Sequence, residues 1–190
     1  DGERLRFVLA PGPSPLAALL APALAGTHAG AIAELCLPAT SLIGDIGRRL
    51  VAQGGAALVV DYGRAESGPG DSLQAVAGHR RAEPLADPGA ADLSAHVDFA
   101  ALARAAAASG ARVWGPVAQG DFLRALGIEL RLAALQRNAD AVRAAMLDSG
   151  AARLIETGQM GTLFKALALG DPRSGAPAGF ADSGQGSSAG

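Results

Sequence analysis

The sequence predicts an α/β domain, and three observations carry that prediction. Residues 54–60 run Gly-Gly-Ala-Ala-Leu-Val-Val and end at Asp61-Tyr62-Gly63, the pattern of a short central strand buried on both faces. Just before it, Leu42, Ile43, Ile46, Leu50 and Val51 recur at three- and four-residue spacing, which places a helix over 39–52. Beyond it, Asp98 can cap an Ala-rich helix from Phe99 to Ser109 closed by Gly110, and Ala111–Val117 reads as a second strand. Strand, helix, strand in that order is a βαβ unit with parallel strands.

The remaining elements follow in chain order. Residues 1–30 read as a short strand, Leu5–Leu9, a Pro-rich loop and a short Ala/Leu helix. Asp1 and Glu3 beside Arg4 and Arg6 leave no positive leader region, and Pro11, Pro13, Pro15 and Pro22 break the uncharged stretch from Pro11 to Ala33. That argues against a targeting signal and excludes a spanning helix. Residues 31–35 fit a strand or a turn equally. Pro38 suits the first turn of helix 39–52, and Gly54 stops it.

After the second strand the pattern is helical. Asp121 can cap Phe122–Leu126, Gly127 interrupts, and Ile128, Leu130, Leu132 and Leu135 continue an apolar face with Arg124, Arg131 and Arg137 outside it. A further helix covers roughly 140–147, and 161–169 reads as a last strand. The main domain is therefore 31–169, with a helical segment at about 121–154. From Gly170 to Gly190 the chain is Gly, Pro, Ser and Asp with one Phe180, and disorder is expected there.

Composition excludes some partners. A chain of 190 residues suits one domain, and 49% hydrophobic with 18% charged residues is ordinary for a globular one. A net charge of −2 offers no basic face for nucleic acid or an anionic membrane. Lys165 is the one lysine among sixteen basic residues, a skew expected of a GC-rich bacterial genome. The single Cys36 allows no internal disulfide and is compatible with a reducing cytoplasm.

The common chemical signatures are absent: no GxxxxGK[ST] loop, no GxGxxG after a strand, no GxSxG elbow, no HExxH pair. Gly68-Pro69-Gly70 has no helix behind it to make a phosphate cradle. What remains is the long loop between strand 55–61 and helix 99–109, carrying Asp61, Tyr62, His79, Arg80, Arg81, Asp87, Asp92, Ser94, His96 and Asp98. Loops of this length inside a domain are usually functional or disordered, and a strand's carboxyl end is where open α/β sheets bind ligands. His96 and Asp98 have metal-pair spacing but no assignable further ligands, and Asp98 as a helix cap is the competing assignment.

Five blocks occur in one order: DYG at 61–63, SLQAVAGHR at 72–80, DPGAADLSAHVDF at 87–99, QGDFLRALGI at 119–128 and MGTLFKAL at 160–167. Together they resemble the MidA family of class I S-adenosylmethionine-dependent methyltransferases, over about Glu34 to Leu169. That family includes the mitochondrial methyltransferase that assists respiratory complex I assembly by modifying an arginine on one of its subunits. The resemblance implies a methyltransferase Rossmann-like sheet in which 55–61 is the fifth strand, 111–117 the sixth and 161–169 the reversed seventh, with the helices as an insertion between the last two.

The resemblance also implies S-adenosylmethionine as cofactor, yet the family's Gly-rich turn and acidic-ended strand have no counterpart before Glu34. The expectation is therefore the C-terminal portion of a longer enzyme, inactive alone. It should expose a sheet edge, fold poorly or self-associate through that edge, and act on a protein arginine, with a complex I subunit as the implied acceptor. The implied setting is the bacterial cytoplasm, the eukaryotic relatives being mitochondrial. A partner-binding module without cofactor chemistry and a small-molecule methyltransferase are the alternatives. For an arginine acceptor, Asp61, Asp92 and Asp98 are the candidate carboxylates to hold the guanidinium, His79 the candidate base, and Tyr62 a wall of the site.

Overall fold

The computed structural model describes residues 5–20, 22–24 and 26–180. In chain order, 3-10 turns at Pro15–Leu19 and Pro22–Leu24 precede helix α1 (Leu37–Gln53) and strand β1 (Ala56–Arg64). Strands β2 (Gln74–Ala77), β3 (Arg80–Ala82), β4 (Asp92–Ser94) and β5 (Val97–Asp98) come next. Helix α2 (Phe99–Ala108) and strand β6 (Arg112–Ala118) follow, then α3 (Gln119–Ala125), α4 (Ile128–Gln136), α5 (Ala141–Ile155), α6 (Met160–Leu163) and β7 (Phe164–Gly170). The chain divides into two compact units, Asp1–Leu35 with Ser67–His96, and Cys36–Glu66 with Val97–Gly190.

The second of these units holds a four-stranded sheet in the order β5-β1-β7-β6. Strand β7 runs antiparallel to both neighbours, from Ala56↔Gly170 to Tyr62↔Phe164 on β1 and from Arg112↔Gly170 to Ala118↔Lys165 on β6. Strands β1 and β6 are therefore parallel, as the βαβ pattern requires, with β7 inserted between them. Strand β5 pairs parallel to β1 only at Gly63↔Val97 and Arg64↔Asp98.

Helices α1 and α2 build the core on one face of this sheet. Ile43 and Leu50 of α1 and Phe99, Leu102 and Ala106 of α2 cluster with Leu167 and Leu169 of β7, and Ala57, Val59 and Val113 pack against them. Every second residue of a strand shares a face, so the odd-numbered members of β1 and β7 point at the helices. Asp98 caps α2 by accepting the Ala101 N–H at 2.8 Å, and Gly110 takes the left-handed conformation (φ 88°) that ends the helical segment.

Strand β1 differs from expectation. Its residues are not buried on both faces: Leu58 and Val60 are 53% and 43% exposed, while Ala166, Leu167, Ala168 and Leu169 of β7 are all at most 2% exposed. The reason is position. Strand β7 has a partner on each edge, whereas β1 from Ala56 to Tyr62 has one, among the described residues, in β7.

Between β6 and β7 lie the four helices α3–α6, the expected insertion. Asp121 sits in the first turn of α3 and does not cap it; Ala118 occupies the cap position. Asp140 does cap α5, accepting the Arg143 N–H at 2.8 Å, and this helix runs on to Ile155, well past the expected Leu147. Buried Gln119 donates from Nε2 to the Leu154 carbonyl at 2.9 Å, and Arg124 donates to the Ile155 carbonyl at 3.2 Å. Residues 161–163, expected as the start of the last strand, belong to α6 (Met160–Leu163) instead. A Cβ on Gly161 would lie 2.1 Å from the Ile155 oxygen, so the chain there is turned tightly against the end of α5.

Residues 171–180 fell in the segment expected to be disordered, yet they are anchored. The Asp171 N–H donates to the Gly55 carbonyl at 3.2 Å, Arg112 donates to the Ser174 carbonyl at 2.9 Å, and the Phe180 ring lies 5.0 Å from that of Phe122. One aromatic contact, one backbone bond and one bond from the Arg112 side chain offset the ordering of a short segment that composition alone marked as unstructured. The rest of that expectation, 181–190, lies outside the described residues.

The first-named unit contains a three-stranded antiparallel sheet in the order β3-β2-β4. The expected strand at Leu5–Leu9 does not form; those residues are exposed and irregular. Glu34 accepts both the Ser72 N–H (2.8 Å) and the Ser72 hydroxyl (2.6 Å), and that hydroxyl oxygen accepts the His96 N–H at 2.8 Å. The Gly70 N–H donates to Ile32 at 2.9 Å. The two ends of the long segment are thereby pinned to the 31–35 stretch.

Candidate functional site

Asp61 and Tyr62 lie within β1, which runs on to Arg64 past the expected stop at Asp61; they close its pairing with β7, near the strand's carboxyl end. The Asp61 Oδ1 accepts the N–H of Tyr62 at 2.8 Å, and the Tyr62 ring meets Phe164 edge-on, centroids 5.6 Å apart at 65°. Gly63 is where β1 meets β5: a Cβ there would lie 2.1 Å from the Val97 oxygen, so any side chain would part the strands. Because that pairing is parallel, Asp98 is drawn to the same end of the sheet, opposite Arg64. One of its oxygens is engaged in capping α2.

His79 and Asp92 belong to the other unit. Gly78 (φ 54°) and His79 (φ 62°) form the two-residue turn between paired Ala77 and Arg80, with both residues left-handed as a type I′ hairpin demands. His79 is thus an exposed hairpin tip. Asp92 is exposed and lies opposite Val76 of β2, with Arg81 on the far side of the same valine. The tip is three residues beyond Val76, about 10 Å along the strand. The five candidates therefore form two sets, Asp61, Tyr62 and Asp98 in one unit, and His79 and Asp92 in the other.

Sequence reasoning passed over Lys165. It is directly opposite Asp61 on β7, on the helix-covered face, and burial lowers its ammonium pKa from the ordinary value. Its ammonium donates to the Thr162 carbonyl. The available signal was its solitude among fifteen arginines and its place in the MGTLFKAL block.

The fit to a cofactor can be tested on the same geometry. A Gly-rich turn that wraps a ligand needs backbone with open space beside it, and Gly63, the glycine at the end of β1, is closed against Val97. The turn at the end of β1 therefore offers S-adenosylmethionine no such cradle. Among them, no three His, Cys, Asp or Glu side chains are grouped to hold a metal ion. No described helix is long and apolar enough to cross a membrane.

A reversed strand inserted between two parallel ones, with helices between the last two strands, is the C-terminal half of the methyltransferase type of α/β sheet. Residues 1–117 match the family model described as "Putative S-adenosyl-L-methionine-dependent methyltransferase", and the chain belongs to that family. It is 36% identical over 169 residues to the human mitochondrial protein arginine methyltransferase NDUFAF7, covering 88% of this chain and 37% of that protein. The Drosophila melanogaster homologue is 34% identical over 165 residues, 86% of this chain and 37% of its own length.

Two crystal structures of COG1565 superfamily proteins from Burkholderia thailandensis share the fold. One has a TM-score of 0.70 at 28% identity and covers 80% of this chain and 44% of its own. The other, bound to S-adenosyl-homocysteine, has a TM-score of 0.59 at 29% identity, over 72% of this chain and 36% of its own. The chain thus spans between 36% and 44% of the length of these relatives.

Proposed function

We propose that this chain supplies the acceptor side of an S-adenosylmethionine-dependent protein arginine methyltransferase, with a respiratory complex I subunit as the acceptor implied by its family. The observation that carries the reading is the carboxyl end of β1, where Asp61, Tyr62 and Asp98 share one end of the sheet and Lys165 faces Asp61. The relatives named for arginine methylation and for binding S-adenosyl-homocysteine supply the reaction class.

The work left to these residues is positioning. Methyl transfer needs the acceptor nitrogen held in line with the departing sulfur, and orientation supplies much of the acceleration. A guanidinium is held best by carboxylates in fork geometry, a role proposed for Asp61, with Asp98 and Asp92 contributing. His79 is the proposed base and Tyr62 the proposed wall. The open edge of β1 is proposed as the place where the rest of the family's sheet attaches, and as the edge through which the isolated chain self-associates.

The test is reconstitution with the portion of the S-adenosyl-homocysteine-binding relative that this chain does not match. Transfer of labelled methyl to an arginine peptide is expected to fall at least about a hundredfold with Asp61→Asn, and about tenfold or more with His79→Ala. Unchanged rates in both variants would refute the assignment. A partner-binding module would bind the acceptor and give no transfer with any complementing portion.

A further inference from the structure

The chain leaves β7 at Gly170 and turns back as residues 171–180, with no strand or helix and no fully buried residue among them. Trp114 of β6 lies on the sheet face turned away from α1 and α2, since its neighbour Val113 packs into the helix-covered core. The returning segment meets that face. A Cβ on Gly170 would lie 2.9 Å from the Trp114 ring and 3.7 Å from the Ser174 Cβ. Arg112 stands over the same ring at 5.2 Å while donating to the Ser174 carbonyl. Further on, Gly179 (φ 86°) comes so close to α3 that a Cβ there would lie 2.5 Å from the Phe122 ring, which brings the Phe180 ring onto Phe122.

Two properties make this cover separable from what it covers. It is tied down by the Asp171 backbone, the Arg112 side chain and the Phe180 ring, where β7 beside it has a full ladder on each edge. Closure also leaves Trp114 1% exposed with its indole N–H lacking an acceptor among the described residues. A buried donor left unpaired opposes the closed state, and water admitted by local opening would satisfy it. At its far end the segment grips α3, and α3 is seated on α6: a Cβ on Gly120 would lie 3.3 Å from the Gly161 oxygen. From there the Thr162 carbonyl accepts the Lys165 ammonium, and Phe164 meets Tyr62. We propose that residues 171–180 form a latch that opens while the sheet stays folded, and that its closure seats α3 and α6 behind the β1 strand end. This goes beyond the methyl-transfer reading, since the latch needs no cofactor, acceptor or complementing portion.

The 190-residue chain carries one tryptophan and one lysine, so the Trp114 indole N–H and the Lys165 side chain each give a single reporter resonance. In hydrogen exchange followed by NMR, the amides of Asp171, Ser174 and Phe180 should exchange at least about a hundredfold faster than those of Leu167 and Leu169. Phe180→Ala should speed exchange of the Trp114 indole N–H at least about tenfold. It should also move the resonances of Gly161, Thr162 and Lys165 while those of Ile43, Ile46 and Leu50 stay in place. Phe180→Leu, which keeps an apolar contact with Phe122, should restore most of both. Latch amides as slow as Leu167 would overturn the proposal. So would shifts in Phe180→Ala that are confined to residues 112–126 and 171–180, or that spread through α1. Methyl transfer could fail in reconstitution with every one of the expected results intact, so the two readings stand or fall separately.

Discussion

Strands β1 and β7 lie side by side in one sheet and read almost alike as sequence, Ala-Ala-Leu-Val-Val against Ala-Leu-Ala-Leu-Gly. Yet Leu167 and Leu169 are fully buried while Leu58 and Val60 are largely exposed. Both strands present alternate residues to α1 and α2. Only β7 has a strand on each edge and cover on its second face. An uninterrupted apolar run shows that a strand expects burial on both sides; it does not show what supplies it. The candidate site sits on the strand whose cover is incomplete among the described residues.

That comparison can be broken most sharply by truncation. Leu167→Ala should cost about 2–5 kcal/mol in a denaturant titration, since a cavity opens among Ile43, Phe99 and Leu102. Leu58→Ala should cost under about 1 kcal/mol, because water already reaches the side chain. Equal losses would mean that β1 is covered after all. A smaller effect is expected at the end of the sheet, where Asp98→Ala removes the cap of α2 and should cost about 1 kcal/mol. Asp98→Asn, which still accepts the Ala101 N–H, should keep most of that stability.

The parts of the fold that were legible share one property: their signals are local. Helix α1 follows from the spacing of Ile43, Ile46 and Leu50, and α2 from an acidic cap ahead of an alanine run. The β2–β4 sheet was missed because its strands are three or four residues long and carry Arg80, Arg81, Asp92 and Ser94, with Gly78-His79 as an inconspicuous turn. The strand assigned to 161–169 began too early because Gly161 is fixed by contact with Ile155, a residue no local pattern links to it. Asp61 and Tyr62 were legible because a strand's end is visible in sequence. That His79 and Asp92 belong to a separate compact unit was not, since it depends on pairings such as Val76↔Asp92. Lys165 gains its interest only from the register that sets it opposite Asp61.

The smallest expected effect is at the anchored end of the chain. The Arg173 guanidinium beside Asp171 holds its carboxyl below the usual carboxylate range. A carboxylate whose pKa is lowered by folding stabilises the fold above its ordinary value, and that contribution is lost as pH falls through the lowered one. Asp171→Asn should therefore flatten the acid side of the stability profile below about pH 4, with little change near neutral pH because the Arg173 end of the pair is open to solvent.

The most direct test of the account is amide hydrogen exchange along β1, with and without the complementing portion of a relative. In the dilute monomer, alternate amides of residues 56–62, those pointing away from β7, should exchange at least about a hundredfold faster than the amides of 165–169. They should gain protection when the complementing portion is added. Full protection of 56–62 in the isolated monomer, or no change on complementation, would contradict the claim that β1 is the open strand on which the site is completed.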